Sequence, residues 1–124
     1  MERLTPTEEQ IMNIIWKLEK AVIREVLDNL PAPKPPYTTL ASHIRQLEKK
    51  GYLDHHAFGT TFQYFPLLTQ EAYRQNSTRR LINQHFEGSA KNFLSFLVKE
   101  EKLSGEDLAE LKKMIDEAAK NKKP

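Results

Sequence analysis

The sequence predicts a mainly α-helical chain carrying one small β-hairpin, with an N-terminal unit over residues 1–67 and a helical unit over residues 68–124. Three observations lead to this division. Apolar residues up to Lys50 recur at helical spacing in three separate segments. After Gly51 the spacing changes to alternation as far as Pro66. From Thr69 onward the helical period returns and no further strand signal appears.

The first helix has clear start signals: Thr5 as N-cap, Pro6 as the first helical residue, and Glu8 as the side chain that closes a capping box. Ile11, Ile14, Ile15 and Leu18 then fall on one face, with Trp16 flanking it. The pattern resets around Lys20-Ala21. Ile23, Val26, Leu27 and Leu30 mark a second short amphipathic helix, which Pro31 ends. The run Pro31-Ala32-Pro33-Lys34-Pro35-Pro36 reads as an extended, stiff connection. A polyproline ligand for another domain is the alternative, but a rigid spacer between helices is more economical.

The third helix, Thr38 to Lys50, places Leu40, Ile44 and Leu47 on one face and Thr38, Ser42, Arg45 and Lys49 opposite. Tyr52–His56 and Thr61–Pro66 read as strands, with Ala57-Phe58-Gly59-Thr60 as the turn between them. Three helices followed by a hairpin is the order of a winged helix-turn-helix unit, whose second helix of the motif enters a DNA groove.

Thr69 starts the next helix, which runs through Tyr73 and Leu81 towards Phe86 and stops at Gly88. Ser89 to Lys99 forms another. Ser104-Gly105-Glu106-Asp107 starts the last, with Leu108, Leu111, Met114 and Ile115 on one side and a basic tail after them. Three helices of this size do not enclose so many large apolar residues by themselves. The sequence therefore predicts a homodimer, with Phe86, Phe93, Leu94, Phe96, Leu97, Leu108, Leu111 and Ile115 in the subunit contact.

The polar face of the third helix suits the major groove of double-stranded DNA, where Arg reads guanine and small hydroxyls reach base edges or phosphate. The expected contacts are Thr38 and Thr39 at the helix start, one of them also capping it, and Ser42, which permits close approach. Arg45 reads base or phosphate, Lys49 and Lys50 hold phosphate, and Thr60 and Thr61 face DNA from the wing. Each has an ordinary counterpart in a solvated helix: Arg45 paired with Glu48, the lysines in water. His43 lies towards the buried flank. A homodimer would set two such helices one helical turn (~34 Å) apart, matching a palindromic operator.

Composition narrows the alternatives. Apolar residues make up 39% and charged residues 29%, as in a soluble globular chain. No apolar run approaches the ~18 residues of a membrane span, and the N-terminus has no apolar signal-peptide core. With no cysteine, disulfides, thiolate metal sites and cysteine nucleophiles are excluded. A cytoplasmic protein without membrane insertion is expected. The four histidines lack the spacing of a metal site, so neither metal nor cofactor is expected. No phosphate loop or nucleophile motif points to an enzyme. Net charge is only +2, and Met1–Pro66 carries 8 Lys and Arg against 8 Asp and Glu. Charge distribution, not its sum, must therefore carry DNA binding. The competing reading is a winged helix whose outer face binds protein, favoured by that neutrality and by a wing without Lys or Arg.

The chain resembles the penicillinase-repressor and methicillin-resistance-repressor family over nearly its whole length. The matching pieces are Leu4 to Met12 leading to Trp16, Tyr37-Thr38-Thr39-Leu40, Leu47 to Leu53, Tyr64-Phe65-Pro66-Leu67 and Leu103 to Leu111. The resemblance implies a dimeric bacterial repressor with an N-terminal winged helix and a C-terminal helical dimerisation domain. Such repressors act on resistance genes and their own operon, beside a membrane sensor protease whose signal leads to repressor cleavage. Two departures stand out. The family cut falls between Asn and Phe; the equivalent pair here is Phe96-Leu97, with Asn92-Phe93 one helical turn earlier. The wing also lacks the Lys or Arg that relatives often place there; His55 and His56 would compensate in part when protonated.

Overall fold

The computed structural model describes residues 2–122. They form two compact units, Met1–Gln75 and Asn76–Pro124. The first contains α1 (Pro6–Leu18), β1 (Ala21–Val22), α2 (Ile23–Asn29), α3 (Tyr37–Lys49), β2 (Leu53–Phe58) and β3 (Thr61–Pro66). The start of α4 (Gln70–His85) also lies in it; the rest of α4, α5 (Ala90–Lys99) and α6 (Gly105–Asn121) belong to the second.

The capping box at the start of α1 forms as its residues predict. The Glu8 amide donates to the Thr5 hydroxyl at 3.1 Å and the Thr5 amide donates to the Glu8 carboxylate at 2.9 Å. Ile11, Met12 and Ile15 are buried, while Ile14 and Leu18 pack at the edge of the core. At Glu19 the backbone takes a left-handed conformation (φ 72°) and turns the chain into β1. This strand is absent from the sequence expectation, because its two residues are too few to show alternation. Ala21 pairs with Tyr64 and Val22 with Gln63, both antiparallel, giving a sheet of order β1-β3-β2.

The hairpin differs from expectation in its tip. Its ladder runs from Leu53 opposite Pro66 to Phe58 opposite Thr61, so Ala57 and Phe58 are strand residues and the turn is only Gly59-Thr60. Gly59 (φ 63°) takes the left-handed conformation that so short a connection requires. The proline-rich connection also has an unforeseen anchor. Lys34 donates to the carbonyls of Leu27 (2.9 Å), Asp28 (3.2 Å) and Leu30 (2.6 Å), capping the carboxyl end of α2.

The core is contributed by all of these elements: Ile11, Met12, Ile15, Val26, Leu40, Ile44, Leu47, Tyr52 and Leu53 are its most fully buried side chains. The start of α4 joins this unit through aromatic contacts. The Trp16 indole donates to the Leu68 carbonyl at 3.0 Å, and its ring lies 5.3 Å from that of Tyr73. Tyr73 in turn donates to Glu9 at 2.5 Å. The unit thus ends inside α4 and not at its start, since a helix initiated by Thr69 carries Tyr73 back onto α1.

In the second unit, α5 is capped by Ser89, whose hydroxyl accepts from the Asn92 amide at 3.0 Å. Ser104 and Asp107 form a reciprocal capping box on α6. Phe86 stands 5.2 Å from Phe93 and 5.5 Å from Phe96, ring to ring. Even so, no described residue of α4, α5 or α6 is buried. Phe96, Leu108, Met114 and Ile115 are exposed, and Phe86, Phe93, Leu94, Leu97 and Leu111 are half-buried.

Because α3 docks by an enclosed stripe, Ile44→Ala should cost ~2–5 kcal/mol. The exposed Ser42→Ala should change stability by no more than ~0.5 kcal/mol in the same urea titrations.

Candidate nucleic-acid interface

α3 is the centre of the candidate site. Leu40, Ala41, Ile44 and Leu47 are buried, and Tyr37, Thr38, Thr39, Ser42, Arg45, Gln46 and Lys49 are exposed. Hydrophobic burial of the stripe therefore dictates which residues face solvent. Neither Thr38 nor Thr39 caps the helix, contrary to expectation. The N-cap position is Pro36, which has no side-chain cap, and its carbonyl accepts the amides of Thr39 and Leu40. Among the described residues, neither threonine hydroxyl has a partner within the chain, so both stay available.

The charged residues at the end of α3 sort into internal and outward groups. Glu48 is taken by His55 of β2, whose Nδ1 hydrogen-bonds its carboxylate. Arg45 is therefore not paired with Glu48; no ion pair holds Arg45 or Lys49 among the described residues. Lys50 is a correction to the expected set of phosphate contacts. Its ammonium pairs with Glu8 at 2.6 Å and donates to the Arg3 carbonyl at 3.2 Å, leaving only 12% of the side chain exposed. This lysine ties the end of α3 to the start of α1.

Burial alone would raise the Glu8 pKa. Hydrogen bonds from Lys50 and from the Thr5 backbone, the Lys50 charge and the nearby Thr5 hydroxyl outweigh it and hold the carboxyl below its ordinary value. The histidines of the wing are likewise engaged: His55 with Glu48, and His56 with the Gln63 side chain at 2.9 Å.

A cleft of about 250 Å³ runs between α3 and the wing, lined by Tyr37, Arg45, Thr60, Thr61, Phe62 and Tyr64 among others. It gathers Arg45 with both wing threonines, which are distant in sequence. Three of its features lie outside the sequence expectation. Tyr37 is exposed beside the hydroxyl face, with the Arg24 guanidinium of α2 5.5 Å above its ring. Phe62 is half-exposed and leans on His55, centroids 4.3 Å apart. Tyr64 is buried, and burial pushes its phenol up, with Glu48 adding to the rise and Arg45 opposing it. Only the pairing of β3 with its neighbours brings Phe62 and Tyr64 to α3; periodicity within a single segment holds no signal for it.

Glu48, Asp54 and His55 each bring one donor atom within 4.8 Å of the others. Hydrogen bonds account for this grouping, since His55 contacts Glu48 by its ring and Asp54 by its backbone amide. Sequence spacing among the histidines gives no hint of it.

Helices α1 to α3, a short β1 and a two-stranded wing beside a hydroxyl- and cation-bearing helix define a winged helix-turn-helix protein. Residues 4–117 match the sequence profile of the penicillinase repressor family, and the chain belongs to that family. The penicillinase repressor of Bacillus licheniformis is 27% identical, across 98% of this chain and 95% of that protein. The methicillin resistance regulatory protein MecI of Staphylococcus aureus (strain N315) is 25% identical, across 91% and 93%. The solved DNA-binding domain of the repressor BlaI is 28% identical and covers 59% of this chain and 94% of its own, with a TM-score of 0.51. The family is one of repressors, not enzymes. No helix of the described residues is long and apolar enough to cross a membrane.

A lowered Glu8 pKa stabilises the fold above the ordinary glutamate value of 4.5, and that contribution is lost as pH falls through the lowered value. Glu8→Gln should therefore be less stable than the unaltered chain near neutrality, with the gap closing in acid, as thermal unfolding across a pH series would record.

Proposed function

We propose that this chain represses transcription by binding double-stranded DNA with α3 in the major groove and the wing alongside. The observation that carries this reading is the exposed face Thr38, Ser42, Arg45 and Lys49, held outward by the buried Leu40, Ile44 and Leu47. Arg45 is the candidate base reader, because it faces the cleft and no ion pair holds it among the described residues. Lys49 is the candidate phosphate contact. Thr38, Thr39 and Ser42 reach base edges or phosphate, and Thr60 and Thr61 approach from the wing. The solved DNA-binding domain of BlaI supports the reading through its likeness to this chain.

The functional form in this reading is a cytoplasmic homodimer on a palindromic operator. The second unit carries large apolar side chains with no buried core, and a second copy of the chain would cover them. Phe86, Phe93, Leu94, Phe96, Leu97, Leu108, Leu111 and Ile115 form that contact. Relief of repression by a sensor protease fits the same arrangement, since a cut inside α5 would split the apolar face that joins the subunits.

A duplex enriched from a random-sequence library by the full-length chain tests the reading. Its affinity should fall steeply with salt, with a log–log slope of about −0.9 per phosphate neutralised. Arg45→Ala should cost ~1–3 kcal/mol and relax one base preference, whereas Lys49→Ala should weaken all duplexes alike and make the slope shallower. Unchanged binding by both variants would remove α3 from the interface. For the dimer, Phe96→Glu should convert the chain to monomer in sedimentation experiments while leaving the first unit's fold intact; a chain that is monomeric before substitution contradicts the proposed assembly.

A further inference from the structure

The tip of the wing is apolar on both faces and carries no Lys or Arg. Phe62 is 50% exposed and Phe58 is 55% exposed. Register places them on opposite faces of the ribbon: Phe62 pairs with Ala57, Phe58 pairs with Thr61, and successive rungs alternate. The two-residue Gly59-Thr60 turn joins the strands that carry them. Exposed aromatic rings flanking so narrow a tip are a cost in water that core packing does not offset.

Phe62 is also tied to the candidate reading helix. Its ring leans on His55, and His55 hydrogen-bonds Glu48 in the last turns of α3. It lines the same cleft as Arg45. The ring thus faces the space that a DNA strand beside α3 would occupy, and Phe58 extends the apolar surface around the tip. The two histidines of β2 are engaged at their rings, His55 by Glu48 and His56 by Gln63.

We infer that Phe58 and Phe62 dock the wing on duplex DNA by apolar contact with the sugar edges of the minor groove next to α3, in place of phosphate pairing. The inference rests on the DNA-binding reading above and specifies how its wing works. Proteins that enter the minor groove use apolar side chains against sugars and base steps in this way. Such contacts release no condensed counterions, so they contribute affinity that varies little with salt, unlike that of Arg45 and Lys49.

The test uses the full-length chain and the library-enriched duplex, titrated over a series of salt concentrations. The double variant Phe58→Ala, Phe62→Ala should bind more weakly by on the order of tenfold at every salt concentration, with the slope unchanged. Phe62→Lys should steepen the slope by about 0.9, because a cation at that position would meet phosphate. Far-UV circular dichroism on both variants checks that the fold survives these surface changes. Unchanged affinity in the double variant overturns the inference and points to a protein partner for the rings. An unchanged slope in Phe62→Lys also overturns it, since the side chain would then lie away from the duplex. If the unaltered chain binds no duplex at all, the DNA-binding reading itself fails. If it binds and only these variants behave otherwise than stated, that reading stands and the wing contact alone is wrong.

Discussion

Everything on the candidate interface depends on the burial of one stripe of α3. Leu40, Ile44 and Leu47 are each fully enclosed by α1, α2 and the sheet, and their removal from water is the dominant force holding the helix in place. Because helical geometry then leaves no rotational freedom, Ser42, Arg45 and Lys49 face outward. A helix fixed by its back has its backbone placed before any partner arrives, so that a partner at its polar front would have only exposed side chains left to order.

Pairing explains how a unit without net positive charge can present a cationic surface. Glu8 is neutralised by Lys50 inside the molecule, and Glu48 is occupied by His55 at the base of the wing. These two acids are thereby committed to structural contacts, while Arg45 and Lys49 project into solvent. The same pairs also brace the site. Lys50 joins α3 to the start of α1, and His55 joins it to β2, so helix and wing are held in a set relation.

The second unit presents the opposite case. Its helices are individually well specified, with Ser89 and Ser104 capping α5 and α6, and Phe86 packs at a tilt against Phe93 and Phe96. Yet its aliphatic and aromatic side chains are shielded only in part. Helix propensity and capping make helices; they do not supply a core where the chain is too short to surround one. Association between copies is the physical remedy offered by the dimer reading.

Much of this was legible in the residues themselves. Thr5, Pro6 and Glu8 specify the start of α1, the spacing of Leu40, Ile44 and Leu47 specifies both α3 and its outward face, and alternation after Gly51 specifies the hairpin; all are local signals. Long-range partners were not legible. That Ala21-Val22 forms a strand depends on β3, that Lys50 is internal depends on Glu8, and that Arg45, Thr60 and Phe62 share one cleft depends on where the hairpin folds back. The sequence by itself determined which segments are helix or strand and which faces are apolar, because those follow from periodicity and capping within a few residues. Only the tertiary structure decided which charges stay free and which side chains meet across the wing, because side-chain partners far apart in sequence leave no mark on local pattern.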